Sequence, residues 1–436
     1  MVLLNKQITF SATGDSFITR RLPSKNESFQ ELSSLLKSTD VRFANLEVTT
    51  HNFEGEPGAV SGGTWAIASP TVLEDLKDYG FNLVAWANNH TLDYSIGGLH
   101  ATEKYLNQYG FTHAGAGKNL AKASEPRYLE TDSGRVALIS VTSSFHESWI
   151  AGNERPDMMG RPGVNPLRHH KIYTITSEKM DQLMSIAEAV NINAEYDLSV
   201  KDGFIVKEDD ELFFFGGHYF KVGVHEGEST TPSEVDLERI SRSIREASRQ
   251  ADYVVVSIHA HEMQGKDLSQ PAEFLTAFSR RCIDEGAHSV IGHGPHIVRG
   301  IEIYKERPIF YSLGNFIFQN ETVTHLPADF YEKYGLSNIH SVADALDVRS
   351  KNGTRGLGIN PKIWSSFVPV WKMMDGRLIE IELHPIELGY GLSRYQRGWP
   401  ALTGDTKILA RLQELSIPFG TEIKIDKGIG RITICD

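Results

Sequence analysis

Five stretches of this sequence end an apolar run with side chains that bind metal ions or move protons. Gly14-Asp15 closes QITFSATGD, and Asn45 and Glu47 close VRFANLE. Asn88, Asn89 and His90 close FNLVAWANNH, and His259, His261 and Glu262 follow DYVVVSI. His293 and His296 stand in IGHGPH, directly after an apolar stretch. Carboxylate, amide and imidazole donors suit a hard or borderline divalent ion such as zinc, manganese or iron. A thiol-rich site is excluded, since the chain has two cysteines, Cys282 and Cys435. A bridging carboxylate with ligands on both sides is what a two-ion centre requires. One or two such ions would clamp a substrate oxyanion and lower the pKa of a bound water.

Each residue taken alone has a plainer reading. Asp after Gly forms turns, Glu47 in a strand can face solvent, and Asn88-Asn89 can cap a helix. A single histidine is more often hydrogen-bonded than ligating. The repeated placement favours a shared site, because ligands of open α/β folds lie off the carboxyl ends of the strands. In IGHGPH the glycines permit a tight turn and Pro295 fixes the path to His296. HAGAGKN (113–119) lacks the spacing glycine and the Ser or Thr of a phosphate loop, so it reads as a strand-to-helix turn.

The formal net charge is −12, which argues against broad binding of nucleic acid or anionic membrane. An anionic ligand held at one local cationic spot remains compatible with it. Arg161, in RPGVNPL, and Arg299, just past GHGPH, are the candidate substrate contacts, since guanidinium groups pair with carboxylates and phosphates. A solvated loop is the alternative for Arg161, and a salt bridge for Arg299.

The elements that must position these residues follow from periodicity. Up to about residue 145, short apolar strands alternate with amphipathic helices. One helix, PTVLEDLKDYG, places Leu73, Leu76 and Tyr79 on one face and stops at Gly80. The alternation resumes from VDLERISRSIREASRQ to PIFYSLGNF, which predicts an α/β fold with buried sheets. Residues 150–235 are rich in turn formers and read as a long, irregular insertion, a candidate lid. SSFVPVWKMMDGRLIEIELHPIEL predicts a hairpin turning at Asp375-Gly376. Residues 1–390 then form one domain, with 391–436 as a helix-and-strand extension packed on it. There is no leader pattern at the start and no apolar run of membrane-spanning length, and the expectation is a cytoplasmic protein.

The ordered motifs GD (14–15), NLE (45–47), NNH (88–90), His259 and GHGPH (292–296) resemble those of the calcineurin-like metallophosphatase superfamily. More narrowly, FANLEVT, WANNHTLDYSIGGL, HAGAGKN, RPGVNPL, GAHSVIGHGPHIVRGIE and IFYSLGNFIF resemble the poly-γ-glutamate capsule biosynthesis family, the CapA-type proteins. The resemblance spans residues 8 to 320, with 170–235 unmatched. It implies a four-layer α/β/β/α sandwich with a metal centre at the sheet ends. It further implies that Asp15 binds one ion, Glu47 bridges, Asn89, His259 and His293 bind the other, and His296 returns to the first. His90 would donate a proton to the leaving group. Three positions depart from the superfamily pattern. Phe17 stands where a histidine belongs, Glu47 replaces Asp, and the second histidine of GHGPH comes one residue late. His261 is the candidate replacement ligand, or else a partner of one. Two functions are consistent with this reading. The first is a metal-dependent hydrolase acting on a phosphoester or γ-glutamyl amide. The alternative is a non-catalytic protein that binds an anionic small molecule or γ-glutamyl polymer, with the metal site serving structure or ligand binding.

Overall fold

The computed structural model describes residues 7–23, 27–207, 209 and 211–433; Cys435 lies outside them. Strands collect into two large sheets. In the ten-stranded sheet, the central strand Gln7–Phe17 runs parallel to Val41–Leu46, with Leu83–Ala85 and Thr112–Ala114 beyond. On its other side the hairpin Ser365–Met374 and Arg377–Glu387 continues the sheet, and Lys424–Asp426 and Ile429–Thr433 complete that edge. Asn315–Phe318 pairs in parallel with the end of Gln7–Phe17. The six-stranded sheet runs Ile301–Tyr304, Arg307–Phe310, Ser289–His293, Tyr253–His259, Gly134–Thr142, Arg127–Thr131, and its four inner strands are parallel. The fold is mixed α/β.

Alternating side chains explain where the core sits. Ile8, Phe10 and Phe43 of the larger sheet meet Val136, Leu138, Val255 and Ile291 of the smaller in one buried cluster. From the other face of the larger sheet, Ala44, Leu46 and Val84 pack on Leu36, Leu76 and Leu99. These leucines belong to the helices Glu27–Lys37, Val72–Tyr79 and Ser95–Gln108. Behind the smaller sheet, Ile139, Val254 and Val256 pack on Ile240, Ile244, Phe274 and Phe278, carried by the helices Glu234–Ala247 and Glu273–Asp284. Strands covered on both faces must be apolar throughout, which is why YVVVSI has no alternation. Each such side chain contributes roughly 1.5–3 kcal/mol by leaving water.

Two turns form as their residues predict. The helix Val72–Tyr79 ends at Gly80, at φ 102°, whose N–H reaches the carbonyls of Leu76 and Lys77. Asp375 and Gly376 are both left-handed, at φ 51° and 80°, as a two-residue hairpin turn requires.

The insertion differs from expectation, because it is not irregular. His169–Ile175, Phe213–Phe215, His218–Val222 and Gly227–Pro232 form a separate four-stranded sheet, accompanied by the helices Ser177–Val190 and Ala194–Lys201. Its elements are poorly buried: the first helix buries only Met180 and Ala187, and the second buries none of its residues. Without an apolar stripe the periodic signal is weak. Among the described residues, no helix is long and apolar enough to cross a membrane.

Candidate metal centre

Strand register, not sequence proximity, assembles the site. Asp15 is level with Asn45 on one neighbouring strand and with Asn315 on the other. In the second sheet, His259 is level with His293. The strand Gln7–Phe17 shifts register just before Asp15. There the Asp15 N–H donates to the Gly314 carbonyl at 2.9 Å, and a Cβ on Gly14 would stand 1.8 Å from that oxygen. Only glycine permits this approach. In the GHGPH loop, Gly294 (φ 120°) donates its N–H to Asp15 Oδ2 at 3.0 Å, and His296 itself is left-handed at φ 59°. Such a conformation in a non-glycine residue costs about 1–3 kcal/mol and is held only by its surroundings. It turns the His296 imidazole inward, to 3.4 Å from Asp15 Oδ2 and 3.9 Å from Glu47 Oε2.

Six side chains converge as two adjoining groups that could each hold a metal ion: Asp15, His259 and His293, and Glu47, His261 and His296. His259 Nδ1 lies 2.9 Å from His293 Nδ1 and 3.7 Å from Asp15 Oδ1. Its other nitrogen, Nε2, lies 3.1 Å from His261 Nε2 and 3.5 Å from Glu47 Oε1. The structure brings Asp15, Glu47, His259, His293 and His296 of the implied ligand set together. Glu47 Oε1 lies 3.5 Å from His259 Nε2 and Oε2 lies 3.9 Å from His296 Nδ1, and the ring of His259 faces both groups. His261, the candidate replacement ligand, stands in the group with Glu47 and His296.

The electrostatics suit a cation. Burial pushes the His259 imidazole well below its ordinary value, reinforced by His261 and His293. Burial likewise pushes His261 down to about 3, with His296 adding to it, and His293 down to about 4 against the opposing charge of Asp15. Burial thus favours the neutral rings, which present lone pairs. Burial raises the Asp15 carboxyl, but His296, His293 and the Asn45 amide outweigh it and hold it below its ordinary value. Glu47 is pushed well up, first by burial and then by the charges of Asp15 and Asp93. Both Glu47 oxygens and the Asn89 Oδ1 are buried without a hydrogen-bond partner. A buried acceptor left that way is costly. A divalent ion coordinated by Glu47, or by Asn89, would remove that cost, and the oxygen-and-imidazole donor set fits zinc-, manganese- or iron-like ions.

Supporting bonds orient the ligands. Asn45 Nδ2 donates to Asp15 Oδ1 at 2.8 Å, Ser257 Oγ meets His293 Nε2 at 2.7 Å, and Asn315 Oδ1 meets His296 Nδ1 at 2.9 Å. Asn89 Nδ2 donates to the Gly62 carbonyl at 3.1 Å, which leaves its oxygen free. His90 Nδ1 is bonded at 2.6 Å to Asp93, a buried carboxylate that also accepts the Ala66 and Gly62 N–H groups.

His90 and His296 line one pocket of about 270 Å³ beside the two groups. Phe17 shares that wall, its ring edge-on to His90 at 5.1 Å. Arg349, Ser350, Arg355, Gly356, Leu357 and Gly358 also line the pocket, and no residue of 150–235 does. Of the arginines singled out in the sequence, Arg161 is exposed and donates Nε to the Ile150 carbonyl. Arg299 is fully buried, and its guanidinium donates to the carbonyls of Leu268, Ala260, His261 and Glu262. Its charge is therefore spent on holding the loop that follows His259.

Sequence reasoning missed Asp93, Ser257, Asn315, Arg349 and Arg355. The signal for Asp93 was present: it stands three residues after His90 in NNHTLD, the spacing that meets across one turn. Asn315 lies in the quoted LGNF stretch, but nothing there says that it bonds an imidazole.

The pattern described as "Bacterial capsule synthesis protein PGA_cap" matches residues 9–320. The chain belongs to this family. Among curated relatives of this PGA_cap protein, "Uncharacterized protein y4sH" of Sinorhizobium fredii is 36% identical, covering 98% of this chain and 93% of the relative. "Capsule biosynthesis protein CapA" of Bacillus anthracis is 24% identical, covering 72% of this chain and 60% of the relative. A "Probable polyglutamine synthesis accessory protein" of Mycobacterium tuberculosis is 23% identical, covering 66% and 57%. The PGA_cap match includes all six residues of the two groups and ends before Arg349 and Arg355.

Proposed function

We propose that this chain is a metal-dependent hydrolase of poly-γ-glutamate metabolism, acting on a γ-glutamyl amide or a phosphoester. The observation that carries the reading is that His90, fixed by Asp93, faces the same pocket as His296 of the metal groups. The bound ion, zinc, manganese or iron, would supply Lewis acidity and lower the pKa of water at neutral pH. The chain's own residues do the rest. His90 Nδ1 is engaged by Asp93, which leaves Nε2 to carry a proton toward the leaving nitrogen or oxygen. Phe17 and Phe318 shape the pocket wall and restrict water there. Asp15, Glu47, Asn89, His259, His261, His293 and His296 are the proposed ligands. The proposal takes the fold as a four-layer α/β/β/α sandwich, a reading supported by one core cluster between the sheets and one under the helices of each outer face. It includes a cytoplasmic setting, which the buried free thiol of Cys282 suits.

A second reading, a non-catalytic accessory protein that binds the polymer, is favoured by the name of the mycobacterial relative. Turnover separates the two. Metal-loaded protein should shorten γ-linked glutamyl chains, and His90→Ala should lower the rate by about 10²–10⁴-fold with metal content unchanged. Tight binding without shortening establishes the second reading, and full activity in His90→Ala removes His90 from the mechanism.

A further inference from the structure

Beside the metal-side pocket lies a second one of about 310 Å³, and both are lined by Glu321, Ser350, Arg355 and Gly358. The charges in this pair of pockets do not cancel. Glu321 is engaged by Arg397, and Asp347 by Arg394. Arg349 and Arg355 form no ion pair among the described residues. Arg349 donates to the Thr64 hydroxyl at 2.6 Å, and Arg355 uses only its Nε, on the Arg349 carbonyl at 2.7 Å. The Nη1 of Arg394 is buried in the same region without a partner. Two uncompensated guanidinium groups beside the metal centre are notable in a chain of net charge −12. Their N–H groups form forks suited to carboxylates.

We infer that the two pockets are consecutive subsites for a chain of carboxylate-bearing units. Arg349 reads the unit at the metal-side pocket, and Arg355 holds the next unit where the pockets join. This deepens the proposed function and rests on it for the γ-glutamyl identity of the chain. An oligomer fits this arrangement because Arg349 lines only the metal-side pocket while Arg355 lines both, so a chain running from one pocket into the next meets both cations.

The test is calorimetric titration of the full chain with γ-linked glutamyl oligomers of increasing length, and with tripolyphosphate, using wild type, Arg355→Ala, Arg349→Ala and His293→Ala. Circular dichroism checks that each variant is folded, and exposed Arg355 is the substitution least able to disturb the fold. Affinity should rise by about tenfold once the oligomer spans both pockets, the gain of one charge-assisted contact. Arg355→Ala should abolish that rise, whereas Arg349→Ala should weaken every length alike. Length-independent affinity, or a rise that survives Arg355→Ala, overturns the inference, as does tighter binding of tripolyphosphate that depends on Arg355. No metal ligand takes part in the length effect, so His293→Ala should retain it. A length effect without hydrolysis would sink the hydrolase reading and leave this one standing; hydrolysis without a length effect would do the reverse.

Discussion

Replacing Glu47 with glutamine should stabilise the metal-free protein while weakening its response to metal. Glu47 is fully buried and neither of its oxygens accepts a hydrogen bond. His296 Nδ1 is 3.4 Å from an Asp15 oxygen and 3.9 Å from a Glu47 oxygen, so the two carboxylates stand within about 7 Å of each other. Burial first and then the charge of Asp15 oppose ionisation of Glu47; at that separation and an effective dielectric of about 20, the like-charge repulsion adds about 2 kcal/mol to the cost of carrying the carboxylate into the fold. Glu47→Gln removes that repulsion and nearly preserves the shape. At roughly 1–2 °C per kcal/mol for a chain of this size, its metal-free melting temperature should rise by about 2–4 °C. Metal at a hundredfold excess over Kd stabilises the wild type by about 2.7 kcal/mol. The variant, lacking an anionic ligand in the second group, should gain less than half of this. Differential scanning calorimetry with and without zinc or manganese reads both effects. A metal-free variant that melts below wild type, or one that gains as much from metal, would refute the reasoning.

Two other substitutions probe the frame. Arg299→Met should cost about 2–4 kcal/mol in denaturant unfolding, because four carbonyls lose a charged donor in a buried place; a cost under about 0.5 kcal/mol would mean that the loop after His259 holds without it. His288 accepts the Val254 N–H on Nδ1 at 3.1 Å, and burial, aided by Arg307, pushes it down to about 4. The unfolded ring titrates near 6.5 and takes up its proton first as pH falls. The stabilisation is therefore complete above about pH 6.5 and lost toward pH 4, by at most about 3 kcal/mol. His288→Gln should flatten that slope, and an unchanged slope would contradict the assignment.

The fold was legible wherever burial wrote a pattern. YVVVSI is buried at every residue and reads as a central strand, whereas QITF keeps an alternation with Ile8 and Phe10 buried, and Gly80 and Asp375-Gly376 announced their turns. The insertion was not legible, because its strands and helices bury too little to impose a period. Most of the centre was visible as polar residues after apolar runs, including His261, which the family pattern alone does not demand. Arg161 and Arg299 drew attention by position in the chain, yet Arg299 is committed to backbone carbonyls. The cations that line the pocket, Arg349 and Arg355, sit in a loop-rich segment with no periodicity, and only the folded chain brings them to the same pocket as His90.

The central claim is that Asp15, Glu47, His259, His261, His293 and His296 bind metal. Elemental mass spectrometry of full-length protein, purified without a histidine tag or chelator, measures this directly beside His293→Ala. The account predicts one to two equivalents of zinc, manganese or iron, reduced by at least about half in the variant. Wild-type protein that holds none of the three, even after reconstitution with each, would contradict it.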